Sequence, residues 1–235
     1  MKEKLNEYLE ILKDKTPQEV LEFAKNEFGI QNIKLASSLS VEDMILTEMF
    51  VKISKDAQIF VLDTGRLFQE TYDLIQLSSA KYGIKYQIFF PDYKELEEIV
   101  TKKGVNLFYY SIEDRKLCCK IRKLNPLKRA LENTKLWICG LRKSQSITRE
   151  NIQVIEWDDN HNIFKINPIC NWEDSQVWEY VKKNNIPYNY LHDKGFKSIG
   201  CLPCTKEVRD GDDPRSGRWW WENPDSRECG LHVKK

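Results

Sequence analysis

The sequence predicts an α/β protein in which a parallel, twisted sheet is flanked by helices and followed by a loop-rich C-terminal appendage. Short apolar runs recur along the first 141 residues, and segments with apolar residues at helical spacing separate them. Beyond residue 186 the chain becomes rich in proline and glycine. Strands that alternate with long helices form parallel sheets through βαβ crossovers, and ligands of such sheets bind beyond the carboxyl ends of the strands.

The individual elements follow from these patterns in chain order. Consecutive apolar residues predict strands at 33–36, 57–62, 86–90 and 136–141. Apolar residues at helical spacing predict helices at 2–13, 17–28, 43–51, 67–82, 93–103 and 173–184. Thr16 is a typical N-cap, Pro17 a typical first helical residue and Gly29 a typical stop, so the second helix has the clearest ends.

The length of 235 residues fits one domain. We expect a single domain over 1–235, with N-terminal helices at about 1–30, an α/β core at 31–185 and the appendage at 186–235. The hydrophobic fraction of 41% is sufficient for a substantial core. The sequence leaves the oligomeric state open, a homo-oligomer included.

The charge balance disfavours two classes of partner. Lys and Arg together number 37 and Asp and Glu 36, so a net charge of +1 argues against bulk binding of nucleic acid or a membrane surface. No apolar run approaches the length of a membrane span, and the charged N-terminus lacks the apolar segment of a signal peptide. We therefore expect a cytoplasmic protein.

Seven cysteines are the strongest chemical signal. Their odd number and the lack of an export signal disfavour a disulfide framework. Cys118 and Cys119 are adjacent, and Cys201 and Cys204 form a C-x-x-C pair, a spacing that lets two sulfurs converge on one metal centre. Neighbouring helical side chains diverge by about 100°, which suits a 4Fe–4S cluster better than a single zinc ion. The alternative is that all four are small buried hydrophobes.

The other three cysteines differ from these pairs. Cys139 lies in an apolar strand and Cys170 follows an apolar dipeptide, so both are expected in the core. Cys229 lies close to the C-terminus between Arg227 and His232, where an exposed thiol can acquire a lowered pKa and act as a thiolate. An incidental surface cysteine is the alternative for Cys229.

Three loops at successive strand ends have the composition of anion sites. The first, 37–43, has five hydroxyl or carboxylate side chains at a helix start, although it lacks the glycines of a Walker loop and a simple capping segment explains it as well. The second, 62–66, contains Asp63, Thr64 and Gly65, and the third, 140–149, begins with a glycine and holds Arg142. The three loops together favour a phosphate or nucleotide ligand.

Basic residues accompany both cysteine pairs. Arg122 and Lys123 follow Cys119 by about one helical turn, and Arg215 and Arg218 follow the C-x-x-C pair. Arg binds sulfate or phosphate through paired hydrogen bonds, and Lys supplies a mobile charge. A solvated surface is the alternative for such residues.

With these motifs in the same order, the chain resembles the assimilatory sulfonucleotide reductases, specifically the iron–sulfur type that acts on adenylyl sulfate (APS). The resemblance runs from about residue 34 to 232. The matching segments are 42–43, 62–65, 67–68, 70–72, 118–119, 122–123, 126–127, 140–142, 145–146, 148–149, 201–204, 215–222 and 228–232. One departure is Ser40, where the family usually has glycine. The extra Cβ leaves the phosphate contacts of this loop open.

The resemblance implies an adenine-nucleotide alpha-hydrolase-like fold and a set of roles. Residues 31–185 would bind the nucleotide, and 186–235 would form a cluster-binding segment with a mobile catalytic tail. Cys118, Cys119, Cys201 and Cys204 would hold a 4Fe–4S cluster. The substrate would contact Ser38, Ser40, Asp43, Asp63, Thr64 and Gly65, with Lys123, Arg142, Arg215 and Arg218 around its phosphate and sulfate charges.

The resemblance also implies the reaction. The Cys229 thiolate would attack the sulfate sulfur and release AMP, with His232 positioning the tail. Thioredoxin or a similar dithiol would then release sulfite from the enzyme S-sulfocysteine. The tandem cysteines mark the branch that uses adenylyl sulfate, and 3′-phosphoadenylyl sulfate is the alternative substrate.

Two other functions remain as alternatives. An adenylating enzyme of the tRNA-thiolase kind would need a Ser-Gly-Gly-x-Asp-Ser loop, which the chain lacks. A non-enzymatic, metal-stabilised nucleotide sensor would leave Cys229 without a role.

Overall fold

The computed structural model describes residues 1–146, 149–223 and 230–231. The chain forms two compact units whose segments alternate along the sequence. The first unit comprises Met1–Val61, Glu70–Gln87 and Asn133–Tyr190, and the second comprises Leu62–Gln69, Ile88–Glu132 and Leu191–Lys235. The single-domain division expected from the sequence stays a prediction.

A sheet of mostly parallel strands organises the fold. Its strands are β1 (Ile33–Ala36), β2 (Gln58–Leu62), β3 (Gln87–Phe89), β4 (Leu136–Ile138), β5 (Ile155–Asp158) and β6 (Ile163–Ile166), in the order β3-β2-β1-β4-β6-β5. β1 pairs in parallel with β2 and β4, β4 pairs in parallel with β6, and β5 runs antiparallel to β6. The predicted α/β fold with a largely parallel sheet is therefore confirmed.

The β5–β6 hairpin is absent from the sequence prediction because each strand has a charged residue in its interior. Glu156 lies opposite Lys165 across the hairpin, and their charged groups form a buried ion pair at 2.9 Å. The pairing of the two charges permits both strands to be buried, although each strand by itself lacks a continuous apolar run.

The helices agree with prediction except around the tandem cysteines. They are α1 (Leu5–Leu12), α2 (Pro17–Phe28), α3 (Val41–Ile53), α4 (Gln69–Tyr82), α5 (Tyr93–Lys103), α6 (Ile112–Cys119), α7 (Asn125–Ala130) and α8 (Asp174–Asn184). The start of α2 is confirmed, because Thr16 and Glu19 form a reciprocal capping box and Pro17 is the first helical residue. α6 and α7 were not predicted, and one π-helical turn, Lys120–Leu124, joins them.

Helix α3 is the buried element that leads to the candidate site of the first unit. Every residue from Val41 to Phe50 is buried, including the carboxylates of Glu42, Asp43 and Glu48. A helix that is apolar on nearly all sides lies inside a protein rather than on its surface. Since only four residues separate the end of β1 from the start of α3, burial fixes the first turn of α3 at the carboxyl end of that strand.

Over the residues that the structure covers, no helix combines the length and the apolar character needed to cross a membrane.

Candidate functional site

In the first unit, the loop after β1 is held by its own side chains. Ser38 donates its backbone N–H and its hydroxyl to Asp43 Oδ2, at 2.7 and 2.6 Å, and the Leu39 N–H donates to Ser37 Oγ at 3.2 Å. Leu39 has a φ of +60°, which is unusual for a bulky side chain, and it is almost fully buried. The buried Leu39 side chain thus lies at a turn whose backbone conformation favours glycine.

Asp43 lies at the centre of this arrangement. Burial raises the pKa of its carboxyl to about 6, against the lowering effect of the hydrogen bonds from Ser38. A Cβ placed on Gly140, in the loop after β4, would lie 2.4 Å from Asp43 Oδ1. The glycine at position 140 is therefore required by the close approach of two loops.

Arg142 holds the third loop against the start of α3. Its guanidinium donates to Glu42 Oε1 from both Nε and Nη2, and to Asp174 Oδ1 at 2.5 Å. Gln145 also donates to Glu42 Oε1, at 2.9 Å. Arg142 and Glu42 are both buried, so the predicted substrate ligand Arg142 is engaged by protein carboxylates. Ser40 is the N-cap of α3, and the first turn of any helix has N–H groups without intrahelical acceptors.

In the second unit, hydrogen bonds also hold the loop after β2 in place. Asp63 accepts a hydrogen bond from the Gly65 N–H at 2.8 Å, and Arg122 donates to the carbonyl of Thr64. Gly65 has a φ of +69°, a conformation that favours glycine. The Thr64 hydroxyl lies 3.3 Å from the Cys201 sulfur, so this loop contacts the C-x-x-C pair directly.

Both cysteine pairs line one cavity that opens to solvent. Cys118 and Cys119 end α6, and Cys201 precedes the 3₁₀ turn Leu202–Cys204. The lining consists of the four cysteines, four cationic residues and two apolar residues: Cys118, Cys119, Cys201, Cys204, Arg66, Arg115, Arg122, Lys123, Phe108 and Pro203. The predicted convergence of residues 118–119 with residues 201–204 is thus present in the structure.

The thiols of this cavity influence one another. Burial, followed by the proximity of Cys201 and Cys119, raises the pKa of Cys204 to about 12. Burial also raises the pKa of Cys118, against the lowering effect of Arg122. Within the described part of the chain, no three Cys, His, Asp or Glu side chains are arranged to hold a single metal ion. Four thiols around one cavity are a donor set for a larger, multinuclear group.

Four cations surround these thiols, and sequence reasoning identified only two of them as neighbours. Arg122 and Lys123 lie on the π-helical turn after Cys119, a local deviation that is frequent at functional sites. Arg66 and Arg115 were missed, although Arg115 precedes Cys119 by four residues, which is one helical turn. This spacing would have been the available signal if the sequence had predicted α6 as a helix.

The two arginines that follow the C-x-x-C pair differ in environment. Arg218 is buried, stacks on the Trp219 ring with its guanidinium carbon 4.7 Å from the ring centroid, and donates to Ser198 Oγ at 3.4 Å. A Cβ on Gly200 would lie 2.3 Å from the Arg218 guanidinium. Arg215 is partly exposed, and its backbone N–H donates to Asp213.

Cys229 and His232 lie outside the described residues. Gly230, which follows Cys229, is described, and a Cβ on it would lie 3.7 Å from Leu124 Cδ1 on the π-helical turn after Cys119. Cys139 and Cys170 are each 2% exposed, which confirms that they are core residues.

The chain is similar to proteins that act on sulfonucleotides. The family model described as phosphoadenosine phosphosulfate reductase domain matches residues 32–207. An adenosine 5′-phosphosulfate reductase of Allochromatium vinosum is 44% identical over 206 residues, covering 88% of this chain and 80% of that protein. One of Neisseria meningitidis serogroup B is 43% identical over 203 residues, covering 86% and 82%.

Solved structures agree at the level of fold. A phosphoadenylyl-sulfate reductase from Candida auris, in a phosphate complex, is 31% identical with a TM-score of 0.75 and covers 88% of this chain and 98% of its own. An FMN adenylyltransferase from Candida glabrata is 15% identical with a TM-score of 0.60, covering 94% of this chain and 74% of its own, and shares the fold alone.

Proposed function

The chain belongs to the phosphoadenosine phosphosulfate reductase domain family, and from this premise we propose that it reduces adenosine 5′-phosphosulfate, that is adenylyl sulfate, to sulfite and AMP in sulfate assimilation. The observation that carries the proposal is the cavity that brings both cysteine pairs together in a chain 44% identical to relatives named for this substrate. A protein of this activity is an oxidoreductase that acts on a sulfur group.

The cofactor of the proposed enzyme is a 4Fe–4S cluster held by Cys118, Cys119, Cys201 and Cys204. Four thiols around one cavity, with cations beside them, fit a cluster whose sulfide and thiolate ligands carry negative charge. When bound, the cluster would set the electrostatic environment of the sulfate group. The cations Arg66, Arg122 and Lys123 would offset the charge of its thiolates.

The nucleotide would bind at the loops that follow the strands. Ser38, Ser40 and the first turn of α3 would contact the phosphate, and Asp63, Thr64 and Gly65 the nucleoside. Asp43 is engaged by Ser38, and Arg142 by Glu42. We therefore assign Asp43 and Arg142 to positioning the loops for the substrate, rather than to contact with the transferred sulfate.

Cys229 would be the nucleophile of the transfer. Its thiolate would form a bond to the sulfate sulfur while the bond from that sulfur to the phosphate oxygen breaks, so that AMP leaves with the electron pair. Lys123, Arg215 and Arg218 would stabilise the charge on the sulfate and the departing phosphate, and His232 would position the tail. Gly230, the residue after Cys229, lies beside Leu124 on the π-helical turn that also carries Lys123, which supports this assignment.

The electrons for reduction would come from thioredoxin or a similar dithiol. One thiolate of the donor would attack the Cys229 sulfur and expel sulfite, which leaves a mixed disulfide. The second thiol of the donor would then resolve this disulfide, restore the Cys229 thiol and leave the donor oxidised. The cytoplasmic location expected from the sequence stays a prediction.

The 3′-phosphorylated nucleotide is the second candidate substrate, because the similar structure from Candida auris is named for it. The test is sulfite release from each nucleotide by anaerobically purified protein, with and without thioredoxin. We expect a higher kcat/KM for adenylyl sulfate, and turnover only with the dithiol. A preference for the 3′-phosphorylated nucleotide would reassign the substrate, and no sulfite from either would overturn the proposed function.

A further inference from the structure

A buried ion pair joins the tandem-cysteine helix to the C-terminal segment of the second unit. Arg115 on α6 donates from Nε and Nη2 to the two carboxylate oxygens of Glu222, at 2.9 and 2.8 Å. The Arg115 side chain is fully buried and that of Glu222 is 4% exposed. Two parallel hydrogen bonds between planar groups fix both the distance and the orientation of the partners.

Trp219 is fixed by the same arginine. The guanidinium carbon of Arg115 lies 4.7 Å from the centroid of the Trp219 ring, and that of Arg218 lies at the same distance. The backbone N–H of Trp219 donates to the carbonyl of Cys204, and the backbone N–H of Glu222 donates to the carbonyl of Trp219. Trp219 has a φ of +43°, so its backbone conformation depends on these surrounding contacts.

These contacts also reach the cysteines themselves. Trp219 packs with Cys119 and Cys204 in one buried cluster, which Cys118, Cys201 and Trp221 flank. Arg115 lines the cavity that both cysteine pairs share. One side chain therefore contacts the cysteine site on α6 and the segment 219–222, which precedes Cys229 by seven residues.

A buried ion pair of this kind is not needed for stability alone. Desolvation of two charges consumes much of their attraction, and apolar residues of similar volume often serve equally well. What the pair provides is a single register, because any other placement of the segment leaves two buried charges unpaired. Glu222 precedes Cys229 by seven residues, so the register of segment 219–222 sets the point from which the chain to Cys229 starts.

We propose that Arg115 is a positioning residue that, through Glu222, fixes residues 219–222 against the helix bearing Cys118 and Cys119, and that the rate of reaction at Cys229 depends on this placement. The inference rests on the proposed function for the identity of the nucleophile. It assigns to Arg115 no contact with the reacting atoms.

The test compares Arg115→Met, Glu222→Gln and the double variant with the wild-type holoenzyme. We expect both single variants to slow the formation of S-sulfocysteine on Cys229, in a single turnover without dithiol, at least tenfold. The dissociation constant for adenylyl sulfate should stay within twofold, and iron content should be unchanged. Amide exchange at Trp219 and Glu222 should accelerate at least tenfold. Lys116→Met, which alters the next residue of the same helix at an exposed position, should match the wild type.

The double variant separates positioning from general stability. It leaves no unpaired buried charge, so its unfolding midpoint should approach that of the wild type, while the sulfonation rate and the two amide exchange rates stay altered. Arg115→Lys keeps the charge but loses the paired donors, so it should recover only part of the rate of S-sulfocysteine formation. If Arg115→Met does not fold, the same measurements are made on Arg115→Lys.

Three results would overturn the inference. They are wild-type sulfonation rates in both single variants, full recovery of rate and exchange in the double variant, and loss of iron in parallel with loss of rate. If the wild type itself forms no S-sulfocysteine, the proposed function fails, while the amide exchange at Trp219 and Glu222 still decides whether Arg115 fixes this segment.

Discussion

Arg142 donates from both Nε and Nη2 to a single carboxylate oxygen, Glu42 Oε1, at 3.1 and 2.9 Å. Glu42 is the second residue of α3, and Arg142 follows the end of β4 by four residues. The contact fixes the start of α3, which is buried from Val41 to Phe50, to the loop of a neighbouring strand. The geometry of the proposed phosphate loop thus depends on a residue 100 positions away in the sequence.

Loss of this contact should destabilise the protein markedly. Arg142→Met leaves the Glu42 carboxylate buried without its main partner, and breaking a buried pair in this way costs about 3–5 kcal/mol. We expect a decrease of that size in the free energy of unfolding, measured by urea titration. Most of it should return in Arg142→Met combined with Glu42→Gln. Lys182→Met, at an exposed position of α8, should change the value by less than about 0.5 kcal/mol.

The metal content tests the cysteine site. Anaerobically purified protein should contain about four irons per chain if one cubane cluster is bound. Replacement of Cys118, Cys119, Cys201 or Cys204 by serine should lose or destabilise the cluster, measured by iron analysis and visible absorbance. Cys139→Ser, in the core of the first unit, should retain it. Stoichiometric zinc without iron in the wild type would contradict the assignment.

The nucleophile is tested by separating binding from chemistry. Cys229→Ser should keep its iron and its brown colour and still bind adenylyl sulfate, yet form no sulfite, because a hydroxyl is a far weaker nucleophile than a thiolate. The wild type mixed with the nucleotide and no dithiol should gain the mass of one sulfonate on the peptide that contains Cys229. Appearance of that mass on another cysteine, or turnover by the serine variant, would refute the mechanism.

The pH dependence of stability tests the environment of Asp43. Burial raises its pKa from 3.8 to about 6. An acid with a raised folded-state pKa contributes stability below its unfolded pKa, and this contribution is lost as pH rises through the folded pKa. At about 1.4 kcal/mol per pKa unit, the whole effect is about 3 kcal/mol, of which about half falls between pH 5 and pH 8.

The measurement is the free energy of unfolding of wild type and Asp43→Asn at both pH values. The side-chain amide of the variant does not titrate between pH 5 and pH 8. Over this range the wild type should therefore lose, relative to the variant, about half of the whole effect. A constant difference between the two proteins would show that the carboxyl titrates normally.

Close packing at Gly140 gives a steric prediction. In Gly140→Ala the new Cβ would lie 2.4 Å from Asp43 Oδ1 and 2.9 Å from Glu42 Cβ, so the two loops must separate. Overpacking of this kind typically costs about 1–3 kcal/mol. We expect a loss of that size in unfolding free energy together with weaker binding of AMP, measured by calorimetry. If the stability falls but the affinity for AMP is unchanged, the proposed role of Asp43 in shaping the nucleotide site is wrong.

Local patterns in the sequence are sufficient to predict several elements of this protein. The strands at 33–36 and 58–62 and the helix at 93–103 follow from the spacing of apolar residues, and the ends of α2 from Thr16, Pro17 and Gly29. The two cysteine pairs could be recognised because metal ligands have characteristic short spacings.

Which polar side chains hold the loops together could be read only from the folded chain. Arg142 and Asp43, whose contact with substrate stays a prediction, form hydrogen bonds with Glu42 and Ser38. The ion pair of Arg115 with Glu222 joins residues 107 positions apart, and the Glu156–Lys165 pair makes two charged segments into buried strands. Such contacts have no signature in local composition, because the free energy of a buried charge depends on the partner that the completed fold brings to it.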